Sequence, residues 1–328
     1  ADDESLASFV TRRFGREALE RVVQPLIGGI YAADPEKLSL AATMPRFIEM
    51  ERASGSVMKG MLREQRGRAA KSESGARWSL FLTLAGGMQE LVDALVSRLP
   101  QESKRTGTAV VKLSRNAADR PWMIDTQGGA LEVDGAILAT PAYVSSALLK
   151  TVAPDISAAL DTIPYSSTAT VSLAYRKADI PRELGGFGLI APAVEKREIL
   201  ACTFSSVKYA GRAPEGCLLL RAFVGGALQP ECYEQDDAAM EGNVRRELAE
   251  LLGIAAPPIF TRVHRHPRAM PQYPVGHLKS LGEIESRLKD FPALRLAGNA
   301  YYGVGIADCV HSGEQAAEAV VSSITAAA

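Results

Sequence analysis

The sequence lacks most features that would assign a function at sight. It has only four cysteines (Cys202, Cys217, Cys232, Cys309), far apart and without a CxxC pair. That spacing excludes a disulfide framework and a zinc ribbon, and it reads as reduced, mostly buried thiols of a cytoplasmic protein. Charge of one sign is not in excess: 37 Lys+Arg stand against 38 Asp+Glu, which gives no reason to expect a nucleic-acid partner. No apolar run approaches the roughly 18 residues of a spanning helix. The acidic opening ADDESLASFV does not read as a signal peptide, having no charged-then-apolar leader. No G-x-S-x-G elbow and no spaced Cys/His pair supports nucleophilic catalysis.

Two near-motifs also fail. Gly186–Ala191 (GFGLIA) matches G-x-G-x-x-G/A, but Pro181 and Pro192 flank it and no helix opens there. The strand-to-helix context of a dinucleotide site is missing. His264-x-His266, with His277 beyond, has strand spacing for metal ligands. However, Arg262, Arg265 and Arg268 crowd the segment, and no cysteine or carboxylate completes a ligand set. These are read as surface or structural histidines, with no metal.

What is present is a layered mixture. Leu6, Phe9, Val10 and Phe14 form a helical face from the first residues, and a second helix after Gly15 is expected to end near Pro25. Helical pattern continues over Met44–Met61, then residues 65–76 read as an exposed loop. Residues 78–150 alternate short strands and helices: an apolar strand before Gly86–Gly87, a helix over Met88–Leu99, strands in GTAVVKLSRN and on either side of Gly128–Gly129, and a helix after Pro141. From Ala169 the strands lengthen and look antiparallel, with a helix over Asp236–Leu252. The chain closes on a strand (Leu294–Ala297), a Gly-x-Gly turn (Gly303, Gly305) and a helix opening near Asp308 or Cys309. Free N–H groups and the helix dipole make such a turn a site for an anion. A glycine turn alone is a weak signal, because loops use glycine for steric reasons.

The segment LAGNAYYGVGIADCVHSGEQAAEAV resembles the C-terminal flavin-contacting segment of oxygen-dependent protoporphyrinogen oxidases. Residues 5–57, LAGGMQELVDAL and AMPQYPVGH resemble further segments of that family, so the likeness covers essentially the whole chain. It implies a mixed α+β and α/β fold, a partial FAD-binding Rossmann-like domain interleaved with a substrate domain of antiparallel sheet plus helices. The corresponding division is 1–77 (helical part of the substrate domain), 78–150 (FAD-binding part), 151–290 (substrate domain) and 291–328 (FAD-binding part). Family members begin with a strand–GxGxxG–helix unit that the sequence in hand does not contain. These residues are therefore expected to correspond to the C-terminal two-thirds of such an enzyme and to be inactive by themselves.

The resemblance also implies roles. Val304, Gly305 and Ile306 would lie beside the flavin, with Gly298 and Asn299 nearby. Cys309, Val310 and His311 would open the helix facing the ribityl–pyrophosphate part. Val110 would meet the adenine end. Phe187, Gly188, Ile190, Thr203 and Phe223 would line the tetrapyrrole pocket, although periodicity alone would put the apolar ones in plain sheet core. The implied reaction removes six electrons from protoporphyrinogen IX in three flavin cycles, with O2 reoxidising FAD to give H2O2. The cofactor carries that chemistry, so no general base is named. Alternatives are coproporphyrinogen III oxidation, which differs in propionate for vinyl at two positions, and a non-catalytic porphyrin-binding fragment. Amine oxidases and carotenoid desaturases share the fold but match the N-terminal helices poorly. The resemblance leaves room for a homodimer and for peripheral membrane contact through residues 1–60, at the cytoplasmic face.

Overall fold

The computed structural model describes residues 3–70, 82–116 and 121–327. The chain opens in helices. Leu6–Phe14 starts where the Ser5 side chain accepts the Ser8 N–H, buries Leu6, Phe9 and Val10, and stops at Gly15 in the left-handed region (φ 90°). The next helical stretch does not end near Pro25. A π-turn (Leu19–Val23) widens the backbone just ahead of it, and Pro25 stands in the first turn of Gln24–Tyr31. A proline there removes an N–H that the first turn does not need, so the helix runs on. Pro45–Ser54 and Val57–Ala70 complete the helical segment. Residues 65–70, expected as loop, are the end of that last helix, and 71–76 lie outside the described residues.

The apolar strand expected before Gly86 does not form at residues 82–84, and residues 79–81 lie outside the described residues. The expected helix follows as Gln89–Ser97, with Val92, Leu95 and Val96 exposed. An antiparallel three-stranded meander comes next: β1 (Val110–Arg115), β2 (Trp122–Thr126) and β3 (Gly129–Val133). Trp122 is fully buried beneath it, its indole N–H donating to Pro292 O at 2.9 Å. The short strand β4 (Ala136–Leu138) leads into helices Ala142–Leu149 and Pro154–Asp161.

The five-stranded sheet is antiparallel throughout. Its strands are β5 (Tyr165–Arg176), β6 (Gly188–Ile190), β7 (Ala201–Phe204), β8 (Cys217–Gly225) and β9 (Phe260–Pro271), in the order β6-β7-β8-β5-β9. Alternation along β5 sends Ala169, Val171, Leu173 and Tyr175 to one face, where they are buried with Leu220, Ala222 and Val224. The helix Asp237–Leu252 covers that face with Met240, Val244, Leu248 and Leu252, one per turn. The Asp236 carboxylate caps its start by accepting the Ala239 N–H, and Gly253 (φ 75°) ends it. Among the described residues the opposite face is not covered in this way.

The strand β10 (Leu294–Leu296) pairs in parallel with β4, 156 residues or more away in sequence, and the C-terminal helix Ile306–Ala327 follows. Leu138 and Leu294 share a core with Leu113, Trp122, Tyr301 and residues of helices Pro154–Asp161 and His277–Leu288. Those two helices pack here rather than on the five-stranded sheet.

The two faces of β5 differ sharply in what a truncation removes. Leu173→Ala should cost about 2–5 kcal/mol of unfolding free energy, whereas Ser172→Ala, on the uncovered face, should stay within about 0.5 kcal/mol. Denaturant unfolding followed by circular dichroism measures both; similar losses would contradict the face assignment.

Candidate functional site

Leu296 ends β10 beside Leu138, and the Ala297 N–H donates to Leu138 O at 3.1 Å. The chain then turns at Gly298, whose φ of 119° is a conformation L side chains rarely adopt. Nothing lies within 4 Å of the place a Cβ would take there, so the turn is open on that side. The Gly298 N–H is held by Ser312 Oγ at 3.1 Å, tying the turn to the C-terminal helix.

Two side chains from a distant segment support the turn. The buried Tyr273 hydroxyl donates to Asn299 O at 2.6 Å, and the buried His277 ring meets Tyr301 O through Nε2 at 3.0 Å. The two rings stack on each other, centroids 4.3 Å apart and 10° from parallel. Both belong to AMPQYPVGH, a segment whose likeness was legible but whose individual residues had no role on the sequence alone. Burial pushes the His277 pKa down, the bond to Tyr301 O and the charge of Asp3 opposing it.

The C-terminal helix begins at Ile306, two residues before the earlier of the two expected starts. Cys309 N–H already donates to Gly305 O at 3.0 Å, so the amides of Cys309, Val310 and His311 lie inside the helix. The free amides of the first turn belong to Ile306, Ala307 and Asp308. The Asp308 carboxylate reaches back to the Gly305 N–H at 3.2 Å, as the third helical residue does in a capping box. Gly305 is not in the left-handed region, and a Cβ on it would meet Asp308 Oδ2 at 2.8 Å. A Cβ on Gly303 would crowd the same carboxyl group. These two glycines make room for the cap, and the backbone conformation that demands glycine is at Gly298.

Exposed around this turn are Ile306, Val310 and His311, with Val304 and Cys309 half-buried. Open backbone at Gly298, free first-turn amides and unburied apolar side chains suit a ligand that is flat and apolar at one end and anionic at the other. Val110 stands apart from the turn, at the exposed start of β1 opposite Thr126.

The substrate-type residues fall on the uncovered face of the five-stranded sheet. Strand register places Gly188 opposite Thr203, Ile190 opposite Ala201, and Ala201 opposite Phe223. Gly188, Ile190, Thr203 and Phe223 are therefore brought together. Phe187 is not: it precedes β6, half-exposed at the sheet edge, outside these rows. Gly188 has a structural reason of its own, since a Cβ there would strike Cys202 O. Among the described residues no group of three or more His, Cys, Asp or Glu could hold a metal.

Residues 1–321 match the family described as flavin containing amine oxidoreductase. The chain belongs to that family. Its members are flavin-dependent oxidoreductases. Among its relatives, the coproporphyrinogen III oxidase of Staphylococcus aureus is 33% identical over 334 residues, covering 98% of this chain and 70% of the relative. The protoporphyrinogen oxidase of Bos taurus is 33% identical over 339 residues, covering 97% and 69%. A crystal structure from Exiguobacterium sp. 255-15, assigned as a protoporphyrinogen oxidase, superposes with a TM-score of 0.81 at 28% identity, covering 97% of this chain and 67% of that one. Cyclohexylamine oxidase of Brevibacterium oxydans shares the fold at 14% identity and a TM-score of 0.69.

Gly298→Ala should strain the turn by about 1–2 kcal/mol and lower the flavin-to-protein absorbance ratio after gel filtration; unchanged occupancy would show that the turn tolerates a Cβ. A second expectation concerns pH. The folded His277 pKa lies below its ordinary 6.5, so the stability its neutral ring contributes is present above about pH 6.5 and lost as pH falls toward the folded value. The melting temperature should therefore fall more steeply between about pH 7 and pH 5 in the native protein than in His277→Gln. Parallel curves would contradict the assignment.

Proposed function

We propose that the protein oxidises a porphyrinogen, with FAD as its flavin and O2 as the electron acceptor, giving H2O2. The observation that carries this reading is the uncovered sheet face. It presents a broad, mixed surface of Ile190, Thr203 and Phe223 in one molecule with the flavin-type turn. Relatives named coproporphyrinogen III oxidase and protoporphyrinogen oxidase match nearly the whole chain.

When bound, the flavin supplies hydride acceptance from the substrate and electron delivery to O2. The chain's own residues bind and orient. Gly298, Asn299, Val304, Gly305 and Ile306 offer backbone and apolar contact along the flavin. Cys309, Val310 and His311 contribute through side chains on the helix rather than through its free amides. Val110 would serve the adenine end of FAD. Phe223 and Ile190 offer apolar contact to a flat macrocycle, and no residue is required as a general base.

The reading includes surface contact with a membrane, where a hydrophobic substrate partitions, and a cytoplasmic location. Val22, Leu26 and Ile30 support the contact: they are exposed and fall at every fourth position of one helical stretch. Among the described residues no helix is long and apolar enough to cross a bilayer.

The decisive experiment uses the flavin-loaded enzyme. Anaerobic addition of a porphyrinogen should bleach the flavin absorbance, and admitting O2 should restore it with release of H2O2 and porphyrin fluorescence. Flavin that stays oxidised beside porphyrinogens but is bleached by an amine would sink the proposal. Phe223→Ala should raise KM roughly ten- to hundredfold, equivalent to about 1–3 kcal/mol of lost apolar contact, with flavin content unchanged. Normal KM with a collapsed melting temperature would instead make Phe223 a core residue.

A further inference from the structure

Register across the uncovered sheet face lines up more than the apolar residues. One row runs Gly188, Thr203, Arg221, Ser172, Arg262 across all five strands, and the adjacent row ends in Phe223, Thr170 and His264. His266 follows beside Thr168. Strands stand about 4.8 Å apart, so the Arg221 and Arg262 backbones flank Ser172 at about 10 Å separation. His264 and His266 extend the same side along β9 at steps of about 7 Å. The face thus sets apolar Ile190, Ala201 and Phe223 beside two arginines and two histidines, with the small residues of β5 between the strands.

No register position on this face carries Asp or Glu, and among the described residues Arg221 and Arg262 form no ion pair. The opposite face behaves otherwise. Arg265, between His264 and His266 in the chain, turns to the covered side. There it is bound by Asp237 at 2.7 Å and by the carbonyls of Tyr233 and Gln235. Among the described residues, Arg221 and Arg262 on the uncovered side have no such carboxylate partner. The His264 and His266 rings touch edge to face, centroids 4.6 Å apart. Burial, then His264, then Arg221 depress the His266 pKa. The like charges of Arg221 and Arg262, without counter-ions, repel each other until an anion is supplied, and the neighbouring imidazoles can add hydrogen bonds to it.

We propose that Arg221, Arg262, His264 and His266 form a carboxylate-binding row beside the macrocycle platform, which selects the porphyrinogen carrying more peripheral carboxylates. The inference rests on the porphyrinogen reading and goes beyond it by naming the substrate class and the residues that choose it. Coproporphyrinogen III, with four propionates, has two more partners for this row than protoporphyrinogen IX, in which two of those positions are vinyl. Charge-assisted bonds to carboxylate are the stronger kind, and a guanidinium can make two at once.

The test compares both porphyrinogens on the full-length, flavin-loaded enzyme and on its Arg221→Gln, Arg262→Gln and Arg221→Lys variants. Flavin content and melting temperature confirm that each is folded. The native enzyme should show the lower KM for coproporphyrinogen III. Each Arg→Gln change should raise that KM about tenfold, with a much smaller change for protoporphyrinogen IX and kcat nearly constant. Arg221→Lys should recover part of the loss, and added salt should weaken the four-carboxylate substrate more. Absorbance titration with coproporphyrin III and protoporphyrin IX gives the same comparison without turnover. Equal effects on both substrates, or none, would overturn the carboxylate row while leaving porphyrinogen oxidation standing. Failure of the native enzyme to oxidise either would remove both.

Discussion

The flavin-type turn depends on a contact made far from it in sequence. Tyr273 donates to Asn299 O, and the stacked His277 binds Tyr301 O, so two backbone carbonyls of residues 299–301 are satisfied by buried side chains from the end of the long strand β9 and the helix after it. A turn with glycine in a left-handed conformation gains little from its own chain; its position must be imposed from outside. The same segment is fastened on its other side to the N-terminal helices, since Tyr273 O accepts the Ser39 N–H and Asp3 accepts the Gly276 N–H. One short stretch, residues 273–277, therefore joins all three parts: the helical opening, the sheet and the flavin-type turn. Its aromatic and imidazole groups are buried because they are structural linkers, which is also why burial keeps His277 neutral.

The five-stranded sheet shows how a single alternating pattern yields both a packed face and an open one. Along β5 the odd-numbered positions from Ala169 to Tyr175 bury apolar side chains under the helix Asp237–Leu252, and the even-numbered ones carry Thr168, Thr170, Ser172 and Ala174 on the other side. The small, polar even positions leave space above the sheet. Larger groups project into that space from the neighbouring strands: Phe223 and Arg221 from β8, Arg262 and His264 from β9. Because one face is tightly packed, a one-residue slip would expose the core residues, so the register of the open face is enforced by the hydrophobic one.

Much of this was legible along the chain. The helices at both ends, the meander around Gly128, the antiparallel strands after Ala169 and the closing strand–turn–helix follow from periodicity and glycine or proline punctuation, which act over a few residues. Local signals misplaced the elements whose limits depend on neighbours. Pro25 did not end its helix, because a π-turn upstream placed it where its missing N–H costs nothing. The closing helix began at Ile306 because the Asp308 carboxylate, two residues into the helix, turns back to cap Gly305.

Residue chemistry and spacing along the chain determined that the protein is a mixed helix–sheet chain resembling flavin-dependent porphyrinogen oxidases, and that residues 294–320 form a strand, a glycine turn and a helix. Only tertiary structure decided which of those residues leave open backbone and which fill space beside it. Gly303 and Gly305 look like the glycines of a cofactor cradle until Asp308 is seen to fill the space beside them, and Gly298 proves to be the one in a conformation that excludes other residues. His264-x-His266 reads as an unfinished metal site in one dimension. Across three strands it joins Arg221 and Arg262, because hydrogen-bond register brings together residues about 40 apart in sequence, a relation that no local pattern encodes.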